Sequence, residues 1–129
     1  MPAAHPYFEK LRDLRVSTHF LIRRDGELLQ FVSCGKRAWH AGESSWKGRA
    51  GCNDFSIGIE LEGLEGDGFE EAQYERLAAT LIGLAARYPI RAVTSHAHIA
   101  PGRKQDPGAG FHWDGLRHRA ALPGLDFVP

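Results

Sequence analysis

Apolar and polar positions alternate cleanly along residues 14–24. Val16, Thr18, Phe20 and Ile22 fall on one side; Arg15, Ser17, His19, Leu21 and Arg23 fall on the other. A period of two is the signature of a strand. Asp25-Gly26 follows, a strong short hairpin signal, so 27–33 reads as the returning strand. A second alternating run covers 53–63, with Phe55, Ile57, Ile59 and Leu61 on one face and Ser56, Gly58, Glu60 and Glu62 on the other. The pattern then changes period. Leu77, Ala78, Leu81, Leu84, Ala85 and Tyr88 recur at three and four, which predicts a helix over 70–88 ended by Pro89. A short strand over 90–94 and a final helix within 111–122 complete the regular elements, with Trp113 and Leu116 covering the core. Residues 5–13 read as one or two helical turns, and 63–68 as a turn-rich loop.

Two stretches lack apolar periodicity. Residues 34–54 form a long connection, and long connections inside a compact domain are usually functional. Within it Trp39 reads either as an exposed platform for a flat ligand face or as a plug folded over the core, while Trp46 reads as exposed. The other stretch, 94–108, is too rich in Gly and Pro for helix or strand. It reads as a stiff irregular loop carrying His96, His98, Arg103, Lys104 and Asp106.

Composition narrows the class. A chain of 129 residues is long enough for one domain, 1–129, with a single core. Lys plus Arg number 16 and Asp plus Glu number 16, so no global field favours nucleic acid or an anionic membrane. No apolar run reaches the roughly 18 residues of a spanning helix. The first six residues carry no apolar signal core. Cys34 and Cys52 lack CxxC spacing and read as reduced thiols, with a single disulfide as the alternative.

The candidate chemistry sits in the irregular stretches and the second strand. A folded-back loop can bring His96 and Asp106 together, and an imidazole nitrogen and a carboxylate oxygen are both zinc ligands. The alternative is an ordinary proline-rich surface loop. Gly58 is costly in a strand and marks close approach of a backbone or ligand, and Glu60, two residues on, is either a general base or a solvent-facing carboxylate. Lys104 is placed to stabilise a developing oxyanion. His98, if the loop alternates, points the same way as His96 and is a ligand, a supporting group or exposed. His19, mid-strand, reads as a hydrogen-bonded core histidine rather than a ligand. The sum is metal-assisted hydrolysis of an amide.

Four segments together carry a resemblance: 14–27, with Arg23-Arg24-Asp25-Gly26; 36–42, with Trp39-His40-Ala41-Gly42; 52–63, with Gly58-Ile59-Glu60-Leu61; and 99–108, with Pro101-Gly102-Arg103-Lys104-Gln105-Asp106-Pro107. In this order they resemble the AmpD-type N-acetylmuramoyl-L-alanine amidases, bacterial cytoplasmic zinc enzymes grouped with phage lysozyme-like amidases and peptidoglycan-recognition proteins. The resemblance implies an α/β (α+β) fold with a mixed central sheet flanked by helices. It implies a monomer that cleaves the bond between N-acetylmuramic acid, in its 1,6-anhydro form, and L-alanine of small muropeptides during cell-wall recycling. Carried over by motif, His96 and Asp106 bind Zn2+, Glu60 is the general base and Lys104 the oxyanion stabiliser. Tyr7, Arg15, Trp39, Ala100 and Arg103 line the substrate cleft.

One feature of the family has no counterpart here: an N-terminal strand ending in the first zinc-binding His. The chain thus reads as N-terminally short relative to the family, with an unpaired sheet edge as the expected consequence. A start placed too far downstream, a shortened chain and a protein without its metal all account for this, the intact later motifs favouring the first two. The alternative functions are a metal-free muropeptide-binding module and an inactive fragment.

Overall fold

The computed structural model describes residues 18–63 and 68–129. The segment before residue 18, which holds Tyr7, Arg15 and the first helical turns expected from the sequence, lies outside the described residues, as does most of the turn-rich loop.

The fold is α+β and is built from the hairpin outward. Strand β1 (Phe20–Ile22) pairs antiparallel with β2 (Leu28–Gln30), Phe20 opposite Gln30 and Ile22 opposite Leu28. The turn closes where expected: Arg23 N–H donates to Glu27 O at 2.8 Å, and Gly26 takes φ +88°, which glycine alone adopts freely. On its other side β1 pairs parallel with β5 (Ile59–Leu61), placing Glu60 opposite Leu21. The sheet is therefore mixed. Both faces of β1 are covered, since Thr18, His19, Phe20, Leu21 and Ile22 are all buried. Of the side expected to be polar, His19 and Leu21 are both buried. His19 is the core histidine expected: it contacts Lys36 O at 2.7 Å through Nε2 and accepts from Gly58 N–H at 3.0 Å through Nδ1.

Helix α1 (Glu71–Arg87) lays its apolar stripe on this sheet. Tyr74, Leu77, Ala78 and Leu81 pack with Ile22, Phe111, Leu116 and Ala120, and each buried leucine contributes roughly 1.5–3 kcal/mol. Gln73 fixes the helix start. It is buried, its Oε1 accepts from Glu70 N–H at 2.9 Å, and its Nε2 donates to Glu62 O at 2.8 Å and Ile22 O at 3.3 Å. After Pro89 come β6 (Ala92–Thr94), the one-turn helix α2 (His96–Ile99), helix α3 (Trp113–Ala120) and β7 (Asp126–Val128). The β7 strand, which the sequence pattern does not announce, pairs parallel with β6. Leu116 is buried and Trp113 partly covers the core, as expected.

The long connection is less irregular than its composition suggests. It holds the two-residue strands β3 (Ser45–Trp46) and β4 (Arg49–Ala50) around a Lys47-Gly48 turn, both at positive φ, then a 3-10 turn at Cys52–Asp54. Trp46 is half-buried, not exposed: it packs on the small core of Ala41, Cys52 and Ile99. Cys34 and Cys52 are free thiols.

Among the described residues β5 pairs only with β1, and β6 only with β7. Among those residues β5 therefore has one free edge. A cavity of about 960 Å³ lies along both strands, with Ile59, Leu61, Leu81, Val93 and Leu116 in its apolar wall and Glu60, His96, Lys104 and Asp106 in its polar wall. No described helix is long and apolar enough to cross a membrane.

Candidate metal centre

The polar end of that cavity is assembled from β5 and the loop after β6. Ser95 starts the loop as a helix cap, its Oγ accepting from His98 N–H at 3.0 Å. This makes one turn of helix where the Gly and Pro content suggests irregular backbone. Pro101 and Gly102 then end it, Gly102 at φ +80°. The chain doubles back so that Ala97 N–H donates to Asp106 O at 3.1 Å. Ends ten positions apart are thereby closed on each other.

The closure brings together the two expected ligands. His96 Nδ1 lies 2.5 Å from Asp106 Oδ2 and 3.7 Å from Glu60 Oε1. One ligand atom from each of Glu60, His96 and Asp106 falls within 4.8 Å of the others. One nitrogen and two carboxylate oxygens of this kind form a donor set that zinc accepts.

The charges in the cluster are unequal. Burial pushes the Glu60 carboxyl above its ordinary value, with Asp106 adding to the rise and His96 and Lys104 opposing it. Burial alone would also raise Asp106, but the hydrogen bond and charge of His96, with Lys104, hold it below the usual value. The three groups therefore differ in their affinity for a proton.

His40, to which the sequence assigns no role, is part of this cluster. It is buried, with Nδ1 3.1 Å from His96 Nε2 and Nε2 2.9 Å from Ser56 Oγ. Burial, with the His96 ring beside it, lowers its pKa to about 3. The signal available was Gly58, which lies just before β5 because the strand expected over 53–63 is confined to Ile59–Leu61: a Cβ there would lie 2.4 Å from His40 Cγ, so the glycine does mark a close approach.

The other expected site residues divide. Lys104 is partly buried in the cavity wall. Arg103 also lines it, but its guanidinium donates to Ala41 O and to Glu43 O, tying the two loops together. Ala100 is buried, and its carbonyl accepts from the N–H groups of Arg103 and Lys104 at 3.1 and 3.0 Å. Trp39 is 56% exposed, with Arg37 5.0 Å over its ring, so it does not plug the core. His98 does not follow His96. The helical turn swings it outward, exposed and edge-on to Trp46 at 5.7 Å, away from the cluster. Tyr7 and Arg15 lie outside the described residues.

A family model described as N-acetylmuramoyl-L-alanine amidase matches residues 1–109. The chain belongs to that family. Among similar proteins is the 1,6-anhydro-N-acetylmuramyl-L-alanine amidase AmpD of Citrobacter freundii, 57% identical over 118 residues, 90% of this chain and 63% of that protein. Among solved structures, a selenomethionine AmpD derivative superposes with a TM-score of 0.81 at 55% identity, over 92% of this chain and 68% of that one. The AmiD amidase from E. coli, in complex with the substrate anhydro-N-acetylmuramic acid-L-Ala-D-gamma-Glu-L-Lys, gives a TM-score of 0.78 at 36% identity, over 91% of this chain and 54% of that one. The chain thus spans just under two thirds of the curated relative it matches.

Proposed function

We propose that the protein hydrolyses, with zinc, the amide between N-acetylmuramic acid and L-alanine in 1,6-anhydro muropeptides, as a cytoplasmic monomer in cell-wall recycling. The observation that carries this reading is the convergence of His96 Nδ1, Asp106 Oδ2 and Glu60 Oε1 within 4.8 Å at the polar end of a cavity. The relative's solved complex with an anhydro-muramyl tripeptide supports the substrate class.

His96 and Asp106 would hold the ion. Zinc, when bound, polarises the substrate carbonyl and makes water nucleophilic near neutral pH. Glu60 takes the proton from the attacking water and hands it to the leaving amine of L-alanine. Its raised pKa suits both halves of that transfer, since such a group gives up a proton more evenly near neutrality than an exposed glutamate. Lys104 places a cation beside the carbonyl oxygen as negative charge develops on it. Trp39 offers an exposed flat apolar face, and with Tyr7, Arg15, Ala100 and Arg103 it is carried over from the resemblance as a substrate-binding residue. The test is turnover of an anhydro-muropeptide by the purified protein with and without a chelator. Loss of turnover on chelation and recovery with zinc is expected; chelator-insensitive turnover rejects the reading.

A second reading follows from the ligand count. If Glu60 serves as base, only His96 and Asp106 remain as ligands in the described cluster. A metal-free muropeptide-binding module would then bind substrate without turnover. Stoichiometric zinc in the purified protein rules that out.

A further inference from the structure

We propose that His40 is a positioning residue that sets the tautomer of His96, keeping a proton on Nε2 so that Nδ1 is the nitrogen offered to the carboxylates and to the ion. This rests on the reading of His96 as a metal ligand. It concerns a residue outside the expected site, and it follows from proton accounting along one chain of contacts.

The chain starts at a group that can only accept. Ser56 Oγ lies 2.5 Å from the carbonyl oxygen of Cys52, a buried residue. A hydroxyl has one hydrogen, and at that distance it must point at the carbonyl. The serine oxygen is left as an acceptor for the ring nitrogen facing it, so His40 Nε2, 2.9 Å away, carries a hydrogen. The remaining contact joins two ring nitrogens, His40 Nδ1 and His96 Nε2, at 3.1 Å. One hydrogen must lie between them. Placed on His40 Nδ1, it would make His40 a cation, 4% exposed, whose two nitrogens face an imidazole and a hydroxyl with no carboxylate on either. Burying a charge in that way is costly. The hydrogen therefore belongs to His96 Nε2, and His40 Nδ1 accepts it.

The consequence falls on the far side of the His96 ring. With Nε2 committed, Nδ1 faces Asp106 Oδ2 at 2.5 Å and Glu60 Oε1 at 3.7 Å; without the ion a second hydrogen lies between Nδ1 and the Asp106 carboxylate, and a bound ion takes the place of that hydrogen. Histidine ligands commonly have their second nitrogen fixed by an acceptor, most often a carboxylate or carbonyl, which holds the ring's orientation. Here a neutral imidazole takes that part. Its own ring is held on three sides. Gly58 leaves no Cβ in its way, His19 stands edge-on at 6.1 Å, and the neighbouring Ala41 N–H is bonded to Asn53 Oδ1 at 2.9 Å.

Two measurements test this, and only one involves zinc. In 15N-labelled protein kept in chelator, NMR should show a hydrogen on His96 Nε2, a coupling from it across the hydrogen bond to His40 Nδ1, and a single hydrogen on His40 at Nε2. A hydrogen on His40 Nδ1, or none on His96 Nε2, overturns the proposal. The second measurement is zinc affinity by chelator competition. His40→Ala should weaken it about 10- to 100-fold. His40→Asn places an amide oxygen where Nδ1 was and should recover most of the loss, whereas His40→Gln reaches towards Ser56 and should not. Equal affinities for the Asn and Gln variants overturn the proposal, because a space-filling role would not distinguish them. If the unaltered protein takes up no zinc, the hydrolase reading fails, while the NMR result still decides the role of His40. If the Ala variant does not fold, the Asn and Gln pair and the unaltered protein carry the test.

Discussion

A Cβ built on Gly58 would lie 2.4 Å from Cγ, 2.6 Å from Cδ2 and 2.8 Å from Cβ of His40. The backbone leading into β5 and the ring cannot both keep their places with any other residue there. The backbone of Gly58 is itself fixed, its carbonyl accepting from His19 and Phe20 N–H at 3.1 Å and its N–H donating to His19. The ring is therefore the part that moves. Gly58→Ala should lower stability by about 1–3 kcal/mol, the usual cost of overpacking, and should weaken zinc binding as His96 loses its partner. Thermal unfolding and chelator competition check this together; unchanged values in both would mean that the contact is easily relaxed.

Glu60 and Asp106 stand on either side of the same His96 nitrogen, yet they are assigned different work. Asp106→Ala should release zinc and abolish hydrolysis. Glu60→Ala should keep zinc and lose turnover by about 10²- to 10⁴-fold, the usual contribution of a general acid–base group. Metal content by elemental analysis and turnover of an anhydro-muropeptide separate the two. Zinc loss in Glu60→Ala equal to that in Asp106→Ala would make Glu60 a ligand and remove it as the base.

The sequence was most legible where a contact is local. The Asp25-Gly26 hairpin and the helix ending at Pro89 follow from neighbours within a few residues, and both are present. The closure of 94–108 that sets His96 on Asp106 is legible too, because proline and glycine leave few paths for that loop. The helical turn inside it was hidden by those same residues, although Ser95 is a cap. Of the three places open to His98 the helical turn selects the exposed one, since residues 96–99 do not alternate. Non-local partners were not legible. His40 meets a residue 56 positions away, and β7 finds β6 across the whole of the loop and α3. Arg103 shows a different limit. The resemblance places it in the substrate cleft, and its donors also hold the backbone at Ala41 and Glu43.

Trp39 is 56% exposed while the adjoining Ala38 and His40 are buried. A large ring held in solvent by a fixed backbone suits contact with a flat ligand face. Trp39→Ala should raise KM about 3- to 10-fold, matching the roughly 0.5–1.5 kcal/mol of an aromatic contact, and leave stability within about 0.5 kcal/mol. Steady-state kinetics and a thermal melt suffice. An unchanged KM would place the substrate elsewhere, and a large loss of stability would make Trp39 a structural residue after all.

The two carboxylates should also leave opposite marks on stability against pH in the chelated protein. Glu60 is raised above its unfolded value of 4.5, chiefly by burial. Its contribution is thus present below that value and lost as pH rises through the folded pKa. Glu60→Gln should be the more stable form at neutral pH, with the difference closing in acid. For Asp106, burial is outweighed by the hydrogen bond and charge of His96, and the folded pKa falls below 3.8. Its contribution is present above 3.8 and lost as pH falls through the folded pKa, so Asp106→Asn should be the less stable form at neutral pH. Thermal melts across the acid-to-neutral range in chelator check both signs. Excess zinc should then erase the advantage of Glu60→Gln, because a bound cation favours the ionised carboxylate that faces it. If that advantage persists in zinc, the ion is not held near Glu60, and the cluster does not bind metal in the arrangement proposed.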